Sequence, residues 1–352
     1  MLLLLVEAVV LTVVASSNDV DVDRLKSSND DHNHHHEEAV FTLEASVQAT
    51  IILTIAVIII VLNTLIITSF SNFRGTGNVL NIYILSLSIA DLVCGLLVVP
   101  LSVYPALVRQ WVYGDLMCRV VGYTESIVWI VSAYTLMWIS VDRYIAIRKP
   151  LRYDTVQTKT RCQCWMAFTW ISSAMMCSPP LLEYSPALFD KDSYICVLNW
   201  ERMIAYSATL IILVLGPSLI TIVYTYTYVF VIVRRLKQGD LSHDKEYVTA
   251  LTEALANPNH TLSIILIVTF WILWIPFLAI KTYEQLSGHK ITIPHLHFVI
   301  VWLGFSHSAW KAFILVTYSP QFRVMLRLLC ITLCCRQRTA HDIELMNMEI
   351  ED

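Results

Sequence analysis

Seven stretches of the chain, near residues 46–70, 79–104, 116–148, 161–183, 203–235, 260–286 and 294–317, are apolar, nearly free of charge and long enough to cross a bilayer. A helix rises about 1.5 Å per residue, so about 20 apolar residues traverse the ~30 Å hydrocarbon core. In lipid a backbone must satisfy its own polar groups, which leaves only helices and closed barrels as spanning elements. None of the seven shows the short polar and apolar alternation of a barrel strand. The pattern predicts an all-α membrane protein, a seven-transmembrane helix bundle whose longer spans tilt or run on past the bilayer. Composition excludes the soluble alternatives: 15% of the 352 residues are charged and mean hydropathy is +0.61, where soluble domains carry about 25% charge.

The flanks read differently. Residues 1–16 are apolar but too short to span, and they end in Val13-Val14-Ala15, so they read as a removed signal peptide. Residues 17–45 hold eight acidic and two basic residues and the cluster His32, His34, His35, His36. Without apolar periodicity they read as a disordered extracellular tail whose histidines are solvated. The bundle occupies 46–318. In 319–335, Phe322, Met325, Leu326 and Leu329 fall at i, i+3, i+4 and i+7, which predicts a short C-terminal amphipathic helix at the membrane surface. Cys334 and Cys335 at its end are candidate palmitoylation sites, with a cytosolic tail over 336–352. Fifteen of the 24 Lys and Arg residues fall in the segments that are internal if the N-terminus is outside, and the positive-inside rule supports that orientation. Cys118, opening the third span, and Cys196, in the second outer loop, then both face the oxidising side and can pair.

Several internal motifs stand together. Ser140-Val141-Asp142-Arg143-Tyr144 closes the third span, Asn63 lies in the first, Leu87-Ser88-Ile89-Ala90-Asp91 in the second and Trp170 in the fourth. Trp111-Val112-Tyr113-Gly114 precedes Cys118, Pro217 lies in the fifth span, and Phe270 with Trp274-Ile275-Pro276 in the sixth. Together these resemble the rhodopsin-like (class A) G-protein-coupled receptors, over about residues 46–335 and with a layout like that of the biogenic-amine receptors.

The resemblance implies roles. Arg143, held by Asp142 and followed by Tyr144, is released to meet a G protein, with Leu151, Arg234 and Arg235 as further contacts. Pro217 and Pro276 permit helix pivoting, and Phe270 and Trp274 form a rotamer switch below the ligand pocket. Glu125 stands where amine receptors carry the aspartate that pairs with the ligand ammonium, and Trp129, Trp274, Phe277, Leu278 and Phe305 supply aromatic and apolar walls. Two readings of Glu125 stay open: it meets a ligand cation, or it pairs with Lys281 at the outer end of the sixth span.

The departures are equally informative. Lys311-Ala312-Phe313-Ile314-Leu315 occupies the place of the family's Asn-Pro-x-x-Tyr, and Thr225 that of a span-five tyrosine. In the family, Asp91 and a serine matching Ser132 bind sodium with help from the asparagine that Lys311 replaces. A buried lysine is costly unless paired, so the expectation is an internal Asp91 to Lys311 ion pair in place of sodium, with His307 beside it. The alternative is that Lys311 snorkels toward the cytosol. Lys311 is out of register with the retinal lysine of opsins, which would align with Phe305, and no cofactor or metal is expected.

The sequence thus points to a receptor and not to an enzyme. Its partners would be the bilayer, a heterotrimeric G protein, and either a small-molecule ligand such as an amine or its own second outer loop; nucleic acid is not among them. The rival is a non-signalling decoy or trafficking protein of the same fold, held shut by Asp91 and Lys311. The expected location is the plasma membrane.

Overall fold

A computed structural model of the chain describes residues 30–72, 79–182, 188–197, 204–239 and 245–334. The signal-peptide reading, Cys335 and the tail over 336–352 lie outside these residues. The helices are α1 (Asp30–Asn72), α2 (Val79–Leu97), α3 (Val103–Val108), α4 (Gly114–Arg148), α5 (Tyr153–Val156), α6 (Lys159–Leu182), α7 (Ile204–Gln238), α8 (Lys245–Ala256), α9 (Pro258–Ser287), α10 (Leu296–Phe305), α11 (His307–Tyr318) and α12 (Pro320–Cys334). One antiparallel hairpin, β1 (Leu188–Asp190) and β2 (Ile195–Val197), sets Phe189 opposite Cys196.

The seven spans are α1, α2 with α3, α4, α6, α7, α9, and α10 with α11. Among the described residues six of these are long and apolar enough to cross a membrane by themselves. The fourth, α6, opens on Lys159, Thr160 and Arg161 and is held by polar contacts: Trp170 Nε1 donates to Ser86 Oγ at 3.1 Å, and Trp138 Nε1 to Thr169 Oγ1 at 3.1 Å. Such interhelical bonds are worth about 0.6 kcal/mol each on average. The third span, α4, is central and packs on the second, fourth, fifth and sixth. Spans one and two approach closely at Gly95, where a Cβ would lie 2.7 Å from Ile59 Cγ2.

One local finding departs from the sequence reading and two go beyond it. First, α1 begins at Asp30, so the segment 30–45 read as disordered tail continues the first helix. Ala39, Val40, Phe41 and Leu43 extend its apolar run, and Glu44 is tied down by Arg109 Nη2 at 3.3 Å. Second, the seventh span is broken at Ser306, whose hydroxyl donates to Leu303 O at 2.6 Å while its N–H reaches Trp302 O at 3.1 Å and Leu303 O at 3.2 Å. The helix therefore tightens locally without the proline that the family places nearby. Third, α8 is a separate helix joined to the sixth span by one extended residue, Asn257.

The amphipathic reading of α12 agrees with its burial: Phe322, Met325 and Leu329 are buried and Arg327 is exposed. Phe322 packs on Phe70 of the first span, ring centroids 5.9 Å apart. Cys330 is exposed on this helix.

Candidate functional site

Cys118 and Cys196 are disulfide-bonded, Cα atoms 5.2 Å apart, and the bond ties the hairpin across one end of the bundle. The hairpin turn is built by Asp190, which accepts from Ser193 Oγ at 2.8 Å and from the Asp192 N–H at 3.2 Å. That local bonding lets Tyr194 take φ 59°. Tyr194, Ile195 and Cys196 are buried. Trp302 Nε1 donates to Ser193 O at 3.1 Å, and Tyr194 packs on Phe298 at 6.2 Å. The loop thus lies on the seventh span as a lid. Lys290 pins it from outside, 2.5 Å from Asp192 Oδ2 and 3.7 Å from Asp190 Oδ1. Burial disfavours that ammonium, but the Asp192 hydrogen bond and the two carboxylates outweigh it and raise the Lys290 pKa.

Beneath the lid lies a narrow cavity of about 20 Å³, lined by Glu125, Trp129, Trp274 and Phe305 above and by Asp91, Ser132 and His307 below. A space of that size admits a water and no organic ligand. Aromatic rings fill the rest: Trp129 packs against Phe270 at 6.4 Å and Trp274 at 6.2 Å, and Trp274 against Phe277 at 5.6 Å and Phe305 at 5.7 Å. Leu278 packs against this cluster from outside the cavity. Among the described residues Glu125 has no hydrogen bond or ion pair, and the buried Trp129 Nε1 has no acceptor. The expected alternative partner, Lys281, is turned away to Glu284 Oε2 at 3.2 Å. Glu284 also holds His297 at 2.8 Å and the Ile291 N–H at 3.0 Å, and this stronger local set explains why Lys281 neither reaches Glu125 nor lines the cavity.

The floor of the cavity carries the buried charges. Lys311 Nζ donates to Asp91 Oδ2 at 2.6 Å, so the ammonium does not snorkel. Asp91 Oδ1 lies 3.3 Å from His307 Nε2. On its other side, His307 Nδ1 is 2.8 Å from Gly304 O and 3.4 Å from Trp274 Nε1. A neutral ring that donates to Asp91 can only accept at Nδ1, from Trp274; an imidazolium donates on both sides, to Asp91 and to Gly304. Ser132 Oγ faces the same space but donates to its own helix, to Val128 O at 2.9 Å. Asn63 joins spans one and seven through Ser308 Oγ at 2.7 Å.

At the opposite end Asp142 and Arg143 are ion-paired and both buried. Asp142 is further clamped through Oδ1 by Tyr153 OH at 2.9 Å and Gln157 Nε2 at 3.0 Å, while Arg143 Nη2 reaches Tyr153 OH at 3.3 Å. Burial first, and then the Asp142 carboxylate, hold the Tyr153 phenol well above its usual range, so it remains a donor. Sequence reasoning missed Tyr153 and Gln157: a loop residue that folds back onto the preceding helix leaves no periodic signal. Leu151, Arg234 and Arg235 are exposed around this end, and Tyr144 packs tilted against Tyr224 at 5.6 Å and edge-on against Tyr228 at 5.1 Å. Pro217 and Pro276 lie inside α7 and α9.

Known proteins match this arrangement. The family model described as 7 transmembrane receptor (rhodopsin family) matches residues 62–314. The chain belongs to the rhodopsin family of seven-transmembrane receptors. G-protein coupled receptor 52 of Mus musculus is 27% identical over 270 residues, 74% of this chain and 74% of its own length. Octopamine receptor 1 of Lymnaea stagnalis is 34% identical over 138 residues, 38% of this chain and 21% of that receptor. The crystal structure of squid rhodopsin superposes with a TM-score of 0.70 at 18% identity, covering 93% of each chain, and shares the fold. The receptor is thus a G-protein-coupled receptor by family, and nothing in these likenesses favours a non-signalling decoy.

Proposed function

We propose that this receptor sits in the plasma membrane with the disulfide end outside and passes a signal received near Glu125 to a heterotrimeric G protein at the Arg143 end. The observation that carries the reading is His307, one ring that touches both Trp274 and Asp91. A ligand that rotates Trp274 changes what His307 Nδ1 can bond, and with it the Asp91 to Lys311 pair that joins spans two and seven. Pro276 removes a helical hydrogen bond from the sixth span, which lets it pivot, and Arg143 leaves Asp142 for the transducer together with Leu151, Arg234 and Arg235.

The ligand class follows from the unsatisfied groups. Glu125 without a cation and Trp129 Nε1 without an acceptor suit a small molecule bearing an ammonium and a nearby hydrogen-bond acceptor, with aromatic walls for the cation. Octopamine, for which the Lymnaea relative is named, is such an amine. Entry requires the aromatic rings to part, since the resting cavity admits only water. A second reading is favoured by the buried Tyr194 to Cys196 lid: the second outer loop itself occupies the mouth and sets the basal state. Lys311 on Asp91 fills the place where sodium binds in the family, so the receptor runs without sodium. Cys334 and Cys335 remain proposed lipid anchors.

The test is ligand-free nucleotide exchange across G-protein subtypes for surface-expressed wild type, Arg143→Ala and Lys311→Asn. The closed ion pairs at both ends of the path lead us to expect exchange barely above background in wild type and clear activity in Lys311→Asn. Wild-type activity that vanishes in Arg143→Ala would establish the self-activating loop instead. No exchange in any variant with any subtype would defeat the coupling reading.

A further inference from the structure

The end that carries Arg143 holds an element to which the receptor reading gives no task. Helix α8 is amphipathic, with Tyr247, Leu251 and Leu255 on one face and Glu246, Thr249 and Glu253 exposed on another. Leu251 is 0% exposed, as buried as any side chain of the bundle interior. It closes a separate apolar cluster with Ile147 of the third span and Val229 and Ile232 of the fifth, bordered by Tyr247 and Leu255. Ile147 follows Arg143 by four residues, one turn farther along the same helix face, so the cluster lies at the threshold of the arginine that a transducer must reach. The helix also packs on the turn Pro150–Arg152, which presents Leu151.

Two further features bear on how α8 is held. Twelve residues are too few for a stable helix in water, so its folding depends on the seat beneath it. It is joined to the sixth span through Asn257 alone, an extended residue (φ −61°, ψ 126°) whose side chain accepts from the Asn259 N–H at 2.9 Å, with Pro258 opening the span. This is a hinge at the base of the helix that pivots on activation. A swing of the sixth span therefore pulls on α8, and a seated α8 restrains the swing.

We propose that the groove formed by Ile147, Val229 and Ile232 holds α8 in the resting receptor through Leu251, and that α8 must leave this seat before a transducer engages the Arg143 end. α8 is thus an intramolecular plug over the G-protein site. The inference rests on the coupling reading above and adds to it how the site is kept closed. Its weight comes mainly from one leucine: exposing a fully buried leucine shifts an equilibrium roughly tenfold or more.

The full-length receptor in nanodiscs tests this with two readouts. Ile147→Cys combined with Leu251→Cys, compared with each single variant, reports through disulfide formation whether the seat is occupied, whatever the signalling. Ligand-free nucleotide exchange is then read for wild type, Leu251→Asp, Leu251→Met and the crosslinked pair before and after reductant. The expected result is ready crosslinking, exchange roughly tenfold above wild type in Leu251→Asp, no rise in Leu251→Met, and a rise on reduction of the crosslinked pair. Failure to crosslink overturns the seat. Crosslinking with equal, measurable exchange in the locked, reduced and Asp forms overturns the plug and leaves coupling intact. Crosslinking with no exchange in any form, Lys311→Asn included, overturns the coupling reading and the plug with it.

Discussion

Replacing Lys311 with methionine removes a cation and keeps the volume, and the structure sets the size of the effect. Lys311 Nζ and Asp91 Oδ2 are 2.6 Å apart, which at an effective dielectric of about 20 corresponds to an attraction of about 6 kcal/mol. Desolvating the two ions costs several kcal/mol each, so the intact pair contributes little net stability. Breaking it is different, because Asp91 stays buried without its counter-ion, at about 3–5 kcal/mol. His307, 3.3 Å from the other carboxylate oxygen, offsets part of that, which argues for the lower figure, about 3 kcal/mol. For a chain of 352 residues, at about 2.1 cal/mol/K of unfolding entropy per residue, that is a fall in Tm of about 4 °C. Asp91→Asn with Lys311→Met deletes both charges and is expected within about 1 kcal/mol of wild type, giving a large coupling energy in the cycle. Sodium adds a second arm. It should stabilise Lys311→Met, by about 2.7 kcal/mol at a hundred times its Kd, and leave wild type unmoved. The assay is thermal unfolding of the purified receptor in detergent, with and without sodium at constant ionic strength. A fall under 2 °C in Lys311→Met, or a double variant no more stable than the single, would refute the reasoning.

Other outcomes follow from single contacts. A Cβ at Gly304 would lie 2.9 Å from Trp274 Cε3 and Cζ3, so Gly304→Ala must turn the indole or lose about 1–3 kcal/mol of stability; tryptophan fluorescence and a melt separate the two. Tyr153→Phe removes the donor to the Asp142 carboxylate, a bond to a charged group worth about 1.5–3 kcal/mol, and in nucleotide-exchange assays basal activity should rise by about ten- to a hundredfold; unchanged exchange would mean the clamp is not part of the lock. The Lys290 pKa is raised in the folded state, so its tie to Asp192 is complete below the free-lysine value of about 10.4 and is lost only as pH climbs through the higher folded value. Amide exchange of residues 188–197, corrected for its intrinsic pH dependence, should therefore be constant between pH 6 and pH 9 and uniformly faster in Lys290→Ala; half of that side chain is exposed, so the change is small.

The sequence by itself determined the bundle. Apolar length is a one-dimensional property, and lipid forces any such segment to satisfy its backbone internally, so 46–70 and its six counterparts could only be helices. Lys311 was legible in part: a lysine in a span needs a carboxylate, and it was the resemblance to the receptor family that put Asp91 opposite it. The tertiary structure decided whatever depended on which of several partners a side chain meets. Lys281 reaches Glu284 three residues along its own helix instead of Glu125 across the bundle, because Glu284 is near in space and already held by His297 and Ile291. Tyr153 and Gln157 return from a loop onto Asp142, and Leu251 packs on Ile147, one turn beyond Arg143, from a segment about a hundred residues away. Periodicity reports which face of a helix is apolar, but not what covers that face; that is fixed by how the chain closes its loops.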